Sequence, residues 1–218
     1  MTDQQAPPLL PPPLRAWLGL TAVLAALTTV VLGVLYAGHS GPGTVDAWIQ
    51  SGVDGVRPPW RYAALATDFL AEPAGAATLV VAAVAGCLLL RRPRAAVLLV
   101  VGLSVTVGAT TLIKPLVGRT IHGVNLSYPS GHTAFFTALA LIAALLMVGR
   151  LGFGRTGGTV FVLAAGLVAG AAMGWAQVAL GAHYPTDVLG GWCTALAVVP
   201  PTAWLVDRVA AARGRQPR

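Results

Sequence analysis

Residues 127–149 read SYPSGHTAFFTALALIAALLMVG, a short polar run followed directly by an uncharged apolar stretch. The apolar part, 133–149, approaches the roughly 20 residues that a helix needs to cross a bilayer. Pro129, Ser130, Gly131 and His132 stand where this helix begins, although lipid is a poor environment for such residues. This combination predicts a membrane helix whose first turn has a polar function.

The composition of the whole chain agrees with a membrane location. Its 218 residues are 56% hydrophobic and only 10% charged, whereas roughly a quarter of the residues in soluble domains are charged. Uncharged apolar stretches recur along the sequence at 16–37, 73–90, 95–113, 133–149, 157–181 and 188–206. We therefore expect an all-α integral membrane protein with six transmembrane helices.

These stretches define one membrane domain with two tails. Residues 1–14 are rich in proline, which predicts a disordered amino-terminal tail. The six-span domain is expected over 15–208, and a basic cytoplasmic tail over 209–218. The stretch 16–37 is longer than the apolar part of a secretory signal peptide, so a retained first helix is the favoured interpretation and a cleaved signal the alternative.

The distribution of basic residues predicts the orientation. Six spans place both termini on one side, and ten of the fourteen Lys and Arg residues fall on that side. The positive-inside rule makes it cytoplasmic, so we expect a multi-pass plasma membrane protein. The net charge of +7 lies in short clusters between apolar runs, which favours membrane lipids over nucleic acid as partners. The sequence does not predict an oligomeric state.

Two connections on the opposite, extracytoplasmic side hold most of the reactive side chains. They are IKPLVGRTIHGVNLSYPSGHT at 113–133 and LGAHYPTDVLGG at 180–191. Together they supply two cations, three imidazoles, a hydroxyl and a carboxylate: Lys114, Arg119, His122, His132, His183, Ser130 and Asp187. Cations, histidines and a helix amino terminus are the groups that in-line attack on a phosphate ester requires.

Single residues in these connections also have plainer interpretations. Ser130 either caps the fourth helix or donates to a phosphate oxygen, and Gly131 lets a ligand approach the backbone. His183 and Asp187 lie four residues apart, so they can share a helix face. The carboxylate then fixes the imidazole tautomer for nucleophilic attack; a structural salt link is the alternative.

The motifs PSGH and GAHYPTDVLGG resemble the second and third motifs of the type 2 phosphatidic acid phosphatase (PAP2, lipid phosphate phosphatase) superfamily. The resemblance covers about residues 60–206 and implies a PAP2-like helical bundle with an extracytoplasmic active site. It implies that His183 attacks phosphorus, Asp187 orients it and His132 protonates the leaving group. Lys114, Ser130 and Gly131 would hold phosphate oxygens, and this chemistry uses no metal or cofactor.

The chain departs from the family pattern at two arginines. The first motif, Lys-x6-Arg-Pro, expects Arg and Pro where Ile121 and His122 stand. The third, Ser-Arg-x5-His-x3-Asp, expects Ser and Arg where Ala176 and Gln177 stand. We expect Arg119 to replace one arginine in phosphate binding, with His122 as a second cation and Gln177 as a neutral donor.

Charged residues before the second span receive a simpler interpretation. Asp68 and Glu72 lie one helical turn apart and would suit a metal, but their local sequence offers no third ligand. A helix lying at the outer surface is therefore favoured. Asp46, Asp54, Arg57 and Arg61 are interpreted as solvated loop charges.

The sequence thus predicts a membrane phosphatase that acts on a lipid-linked phosphate or diphosphate through a phosphohistidine. Polyprenyl diphosphate, a polyprenyl-linked sugar phosphate and a phospholipid phosphate all remain open as substrates. One alternative transfers the phosphoryl group to another hydroxyl instead of water. The other is a lipid-phosphate binding or transport protein on the same scaffold.

Overall fold

The computed structural model describes residues 7–53 and 55–213, and within them the chain is almost entirely helical. Two of the eight helices, α2 and α3, are short and precede the second membrane segment. The helices are α1 Arg15–Leu35, α2 Thr44–Ser51, α3 Trp60–Phe69, α4 Pro73–Leu89, α5 Pro93–Val117, α6 Gly131–Leu151, α7 Arg155–Ala179 and α8 Pro185–Arg213. A short hairpin of β1 Thr120–Ile121 and β2 Asn125–Leu126 lies between α5 and α6.

Five helices are long and apolar enough to cross a membrane, and a bent pair supplies the sixth span. In that pair α3 and α4 meet at an angle of 59°. Glu72 is the N-cap of α4 and Pro73 its first residue, so the two helices do not continue into one another. The six-span prediction is confirmed, with α3 added to the expected second span.

Helix α8 occupies the middle of the bundle, where it packs against α1, α5, α6 and α7. Its approach to α7 depends on small residues, because a Cβ on Gly170 or Gly174 would overlap Trp192 or Val188. The outer faces of the helices instead expose aliphatic side chains such as Leu27, Val30 and Val34. This pattern suits a bundle whose surroundings are lipid.

The amino-terminal segment corrects the expectation of a disordered tail. Residues 1–6 lie outside the described part of the chain, but Leu9, Leu10 and Leu14 are buried in the bundle. The backbone N–H groups of Leu9 and Leu10 donate to the two carboxylate oxygens of Asp207, each at 2.9 Å. The leucines were missed because they stand among prolines and polar residues that dominate the composition of this segment.

Part of the expected carboxyl-terminal tail is helical. Helix α8 continues to Arg213, so residues 209–213 are helical. Residues 214–218 lie outside the described part of the chain. The apolar run ends at residue 206, but the helix continues to Arg213. Backbone hydrogen bonds maintain a helix whether or not its side chains are apolar, so the apolar pattern alone did not show where α8 ends.

Candidate active site

The two polar connections meet at one end of the bundle, as the sequence predicted. The backbone N–H of Ser130 donates to the carbonyl of Asp187 at 2.9 Å, which joins the start of α6 to the start of α8. A Cβ on Gly190 would overlap the Tyr128 ring, and one on Gly191 would overlap the Ser130 carbonyl. Glycine at these two positions therefore allows the two helix starts to touch.

His183 and Asp187 face each other across the first turn of α8. The distance from His183 Nδ1 to Asp187 Oδ2 is 3.6 Å, which is longer than a hydrogen bond. The carboxylate is held by other donors, since Oδ2 accepts from the Tyr184 backbone N–H at 3.0 Å. The pair thus has the orientation of a catalytic dyad, which commonly tightens only when substrate binds.

The surroundings of His183 favour its neutral form. Burial lowers the pKa of this imidazole, and the positive charges of Lys114 and His132 lower it further. Asp187 opposes them, because a carboxylate stabilises the protonated ring. Burial is the largest of these effects, so the ring keeps a lone pair for attack at neutral pH.

The start of α6 is arranged as an anion-binding helix terminus. Ser130 is its N-cap, and its Oγ accepts from the Thr133 backbone N–H at 3.4 Å. A Cβ on Gly131 would meet only Thr110 Oγ1, at 3.7 Å, so the packing of the protein does not itself require glycine there. The N–H groups of this first turn and the helix dipole favour a phosphate.

Lys114 lies in the last turn of α5 and directs its ammonium group towards the same end of the bundle. Its Nζ donates to the carbonyl of Leu126 in β2 at 2.9 Å. An ammonium group carries three donors, so this contact fixes the side chain and leaves two donors for a ligand. Phosphate binding by Lys114 stays a prediction.

Arg119 is not available to a phosphate, which corrects the sequence prediction. Its side chain is 0% exposed and forms ion pairs with Asp187 at 2.7 Å and Asp46 at 2.6 Å. The guanidinium lies between the rings of Tyr36 and Tyr184, 4.1 and 4.5 Å from their centroids. Two carboxylates neutralise this cation, so Arg119 holds Asp187 instead of substrate.

Asp46 is the functional residue that the sequence interpretation missed. We expected a solvated loop charge, but its side chain is 0% exposed. Besides Arg119, it accepts from the backbone N–H of Thr186 at 2.9 Å and from its Oγ1 at 3.0 Å. Asp46 therefore anchors the start of α8 from the distant helix α2, and no local sequence signal marks such a contact. Asp54, which received the same interpretation, lies outside the described residues.

The other two expected phosphate donors are also placed differently. His122 is exposed on the hairpin turn, where its backbone has a φ of 52°. Gln177 is buried, and its Nε2 donates to Asp68 Oδ1. The amide of Gln177 is therefore bound to a carboxylate. Neither His122 nor Gln177 is placed as expected for a residue that donates to a phosphate.

Asp68 and Glu72 gain the third partner that their local sequence lacks. His132 Nε2 lies 3.4 Å from Glu72 Oε1 and 3.7 Å from Asp68 Oδ1. The three ligand atoms all lie within 4.8 Å of one another. The local sequence could not show this contact, because α6 brings His132 from 60 residues further along the chain than Glu72.

The described residues define a class of protein by their arrangement alone. A helical membrane bundle brings a buried His–Asp pair, a lysine, a second histidine and a helix amino terminus to one end. These groups match what nucleophilic attack on a phosphate requires. The chain is a polytopic membrane protein with a histidine-based candidate active site.

Comparison with known proteins agrees with this class. A family model described as the PAP2 superfamily matches residues 113–210, which include both polar connections. The crystal structure of a transmembrane PAP2 type phosphatidylglycerolphosphate phosphatase from Bacillus subtilis superposes with a TM-score of 0.68. It is 22% identical, and the match covers 90% of this chain and 99% of that chain. No curated protein matches. The chain is thus similar to the PAP2 superfamily over residues 113–210.

Proposed function

We propose that this protein hydrolyses a lipid-linked phosphate through a phosphohistidine on His183. The observation that carries the proposal is the buried His183–Asp187 pair, whose Nδ1 and Oδ2 atoms are 3.6 Å apart. Since Nδ1 faces the carboxylate, Nε2 is the nitrogen left to attack. Lys114 and the start of α6, which lie at the same end of the bundle, are positive groups that suit a phosphate.

The reaction then proceeds in two steps. His183 Nε2 donates its lone pair to phosphorus, the bond from phosphorus to the lipid oxygen breaks, and that oxygen takes a proton from His132. Asp187 stabilises the positive charge that develops on the His183 ring. Water then attacks the phosphohistidine, which releases inorganic phosphate and restores the imidazole.

The phosphate is held by fewer cations than the family pattern provides. Lys114, the Ser130 hydroxyl and the Gly131 N–H carry this role, because Arg119 is paired with Asp46 and Asp187. A charge-assisted hydrogen bond contributes roughly 1.5 to 3 kcal/mol. Binding should therefore depend strongly on Lys114.

The distribution of basic residues supports a site at the extracytoplasmic face. The loop and helix ends away from the site carry Arg15, Arg91, Arg92, Arg94, Arg150, Arg155 and Arg208. By the positive-inside rule that end is cytoplasmic, and so are both termini. The substrate head group would then be reached from the outer leaflet.

The substrate is proposed as a class. A phospholipid phosphate is one member, in line with the phosphatidylglycerolphosphate phosphatase of Bacillus subtilis; polyprenyl diphosphate and a polyprenyl-linked sugar phosphate are the others. Lipid tails would contact aliphatic side chains on the outer faces of the helices, which do not distinguish these tails. A panel of the three lipids with the purified protein in detergent tests the choice by phosphate release.

The test of the mechanism is the variant His183→Ala. It should abolish phosphate release and the acid-labile phosphoprotein that rapid quenching traps in the wild type. His39→Ala is the matched control, since His39 is an exposed imidazole outside the two polar connections. EDTA should leave turnover unchanged. Release that persists in His183→Ala, or that EDTA removes and added metal restores, would overturn the mechanism.

One observation favours a second candidate, a protein that binds lipid phosphates without turnover. Both residues expected to replace the family arginines, Arg119 and Gln177, direct their donors to carboxylates. A weakly held transition state would then give binding with little hydrolysis. Tight lipid-phosphate binding with neither release nor transfer to an added hydroxyl acceptor would support it.

A further inference from the structure

Two carboxylates lie next to the ring of His132, the residue proposed to protonate the leaving group. Asp68 comes from the last turn of α3 and Glu72 from the break before α4, while His132 lies in the first turn of α6. His132 Nε2 lies 3.4 Å from Glu72 Oε1 and 3.7 Å from Asp68 Oδ1. One edge of the imidazole therefore faces two negative groups that come from outside its own helix.

The position of these carboxylates determines which ring nitrogen keeps a proton. His132 Nε2 is buried as an atom and has no hydrogen-bond partner within the described part of the chain. A carboxylate only accepts hydrogen bonds, so both carboxylates would repel a lone pair on Nε2 but attract a proton there. Nε2 is thus the nitrogen that keeps its proton, and Nδ1 is the nitrogen that remains for the substrate.

Gln177 fixes Asp68 without neutralising it. The Gln177 side chain is buried, and its amide donates to Asp68 Oδ1, the oxygen that faces His132. An amide has no net charge, so Asp68 keeps its negative charge for the imidazole. An arginine, which the third family motif expects at position 177, would form an ion pair with this carboxylate instead. The departure from the family pattern therefore leaves Asp68 charged next to the proposed acid.

The two carboxylates differ in their access to water. The side chain of Asp68 is 22% exposed, and that of Glu72 is 49% exposed and makes no capping hydrogen bond to its helix. Water weakens the interactions of an exposed charge more than those of a partly buried one. Asp68 should therefore affect His132 more strongly than Glu72 does, although Glu72 lies slightly closer.

We propose that Asp68 and Glu72 are positioning residues, which hold the Nε2 proton of His132 and so direct Nδ1 to the leaving oxygen. The proposal rests on the proposed hydrolysis, in which His132 is the acid. As the bond from phosphorus to the lipid oxygen breaks, the Nδ1 proton passes to that oxygen, and the ring is left neutral with its other proton on Nε2. Nδ1 then regains a proton from the water that attacks the phosphohistidine. Each histidine of the site is thus oriented by carboxylates, as His183 is by Asp187.

The test compares two substrates whose leaving groups differ in their need for a proton. Dioctanoyl phosphatidic acid loses an alkyl oxygen, which must be protonated, whereas p-nitrophenyl phosphate loses a phenolate that is stable as an anion. Phosphate release by the purified full-length protein in detergent gives kcat/KM for each substrate. Asp68→Asn should lower kcat/KM for phosphatidic acid roughly 10- to 100-fold, part of the roughly 100- to 10,000-fold that a general acid contributes. For p-nitrophenyl phosphate, kcat/KM should decrease no more than about threefold.

Further variants separate the charge of these residues from their shape. Glu72→Gln should show the same difference between the two substrates with a smaller loss, and Glu72→Asp, which keeps the charge, should lose less than Glu72→Gln. Thr67→Ala is the matched control on α3, because the Thr67 hydroxyl donates to the Ala63 carbonyl of its own helix at 2.9 Å. This control should keep the wild-type kcat/KM for both substrates. A merely structural role of Asp68 would lower kcat/KM for both substrates in parallel.

The outcomes distinguish this inference from the mechanism on which it rests. If His132→Ala loses phosphatidic acid hydrolysis while Asp68→Asn and Glu72→Gln keep it, His132 remains the acid and the positioning role is wrong. An equal decrease of kcat/KM for both substrates in Asp68→Asn also overturns the positioning role. If the wild type releases no phosphate from either substrate, or if His132→Ala keeps full activity with phosphatidic acid, the proposed hydrolysis fails and this inference fails with it.

Discussion

The substitution Asp46→Asn is expected to impair catalysis, although Asp46 is not placed to contact the substrate. The Asp46 carboxylate accepts from Arg119 Nη2 at 2.6 Å and from Thr186 N and Oγ1 at 2.9 and 3.0 Å. Asparagine offers one acceptor oxygen, and its NH₂ group only donates. At least one of these bonds is lost, and the Arg119 guanidinium is then balanced by Asp187 alone.

The size of the effect follows from these contacts. One charge-assisted bond is worth roughly 1.5 to 3 kcal/mol, and about 1.4 kcal/mol corresponds to a tenfold change in rate. If most of this loss falls on the position of Asp187, kcat should decrease about 10- to 100-fold. KM should change little, because Asp46 and Arg119 are buried away from the phosphate.

The assay combines steady-state phosphate release with thermal unfolding, and Asp207→Asn is its matched control. Asp207 is also a buried carboxylate, which accepts from two backbone N–H groups and from Arg94 Nη2 at 2.7 Å. It lies 20 residues after Asp187 in α8, about 30 Å along the helix. Asp207→Asn should lower the Tm to a similar extent while kcat stays at the wild-type value.

A double-mutant cycle decides whether Asp46 acts through Arg119. Arg119→Lys keeps a positive charge but cannot reach two carboxylates as the planar guanidinium does. If both residues act through one link, the double variant should lose less activity than the two single losses combined. Additive losses, an unchanged kcat in Asp46→Asn, or a raised KM as the sole effect of Arg119→Lys would refute this reasoning.

Three further predictions concern the proposed site. Lys114→Gln should lower kcat/KM about 10- to 100-fold in a phosphate-release assay, because it removes a charge-assisted phosphate contact; an unchanged kcat/KM would contradict the assignment. Since the pKa of His183 is lowered, its ring stays neutral down to pH values below the ordinary 6.5. The acid limb of the kcat/KM profile should lie below that pH, and a limb above it would count against His183 as nucleophile. Gly191→Ala should cost about 1 to 3 kcal/mol of unfolding free energy, since its Cβ would overlap the Ser130 carbonyl; Gly108→Ala, with nothing within 4 Å, is the neutral control.

The fold could be predicted from the sequence because its main signals are local. An uncharged apolar run is long enough to span a membrane wherever it stands, and the structure places a span at each predicted run. The start of α6 could be predicted for the same reason, because an N-cap such as Ser130 depends on residues that are neighbours in the sequence. The bend between α3 and α4 was not, because α3 carries charges that hide it from a hydropathy pattern.

The partners of the cations could not be predicted, because they depend on contacts far apart in sequence. Arg119 and Asp46 are separated by 73 positions, and Gln177 and Asp68 by 109. Sequence spacing placed Arg119 in the same polar connection as Lys114 and Ser130, but it could not show that two carboxylates neutralise it. The number of available cations was therefore overestimated.

The two departures from the family pattern have a common structural consequence. Arg119 is held by Asp46, and Gln177 holds Asp68; both carboxylates lie in α2 and α3. These helices precede residues 113–210, the segment that the PAP2 superfamily model matches. In place of two free arginines, this end of the bundle therefore has side chains that are linked to α2 and α3. The features that distinguish this protein from the family pattern should therefore lie in α2 and α3. Replacing Asp46 or Asp68 tests this role of the two helices more directly than restoring an arginine at position 177 does.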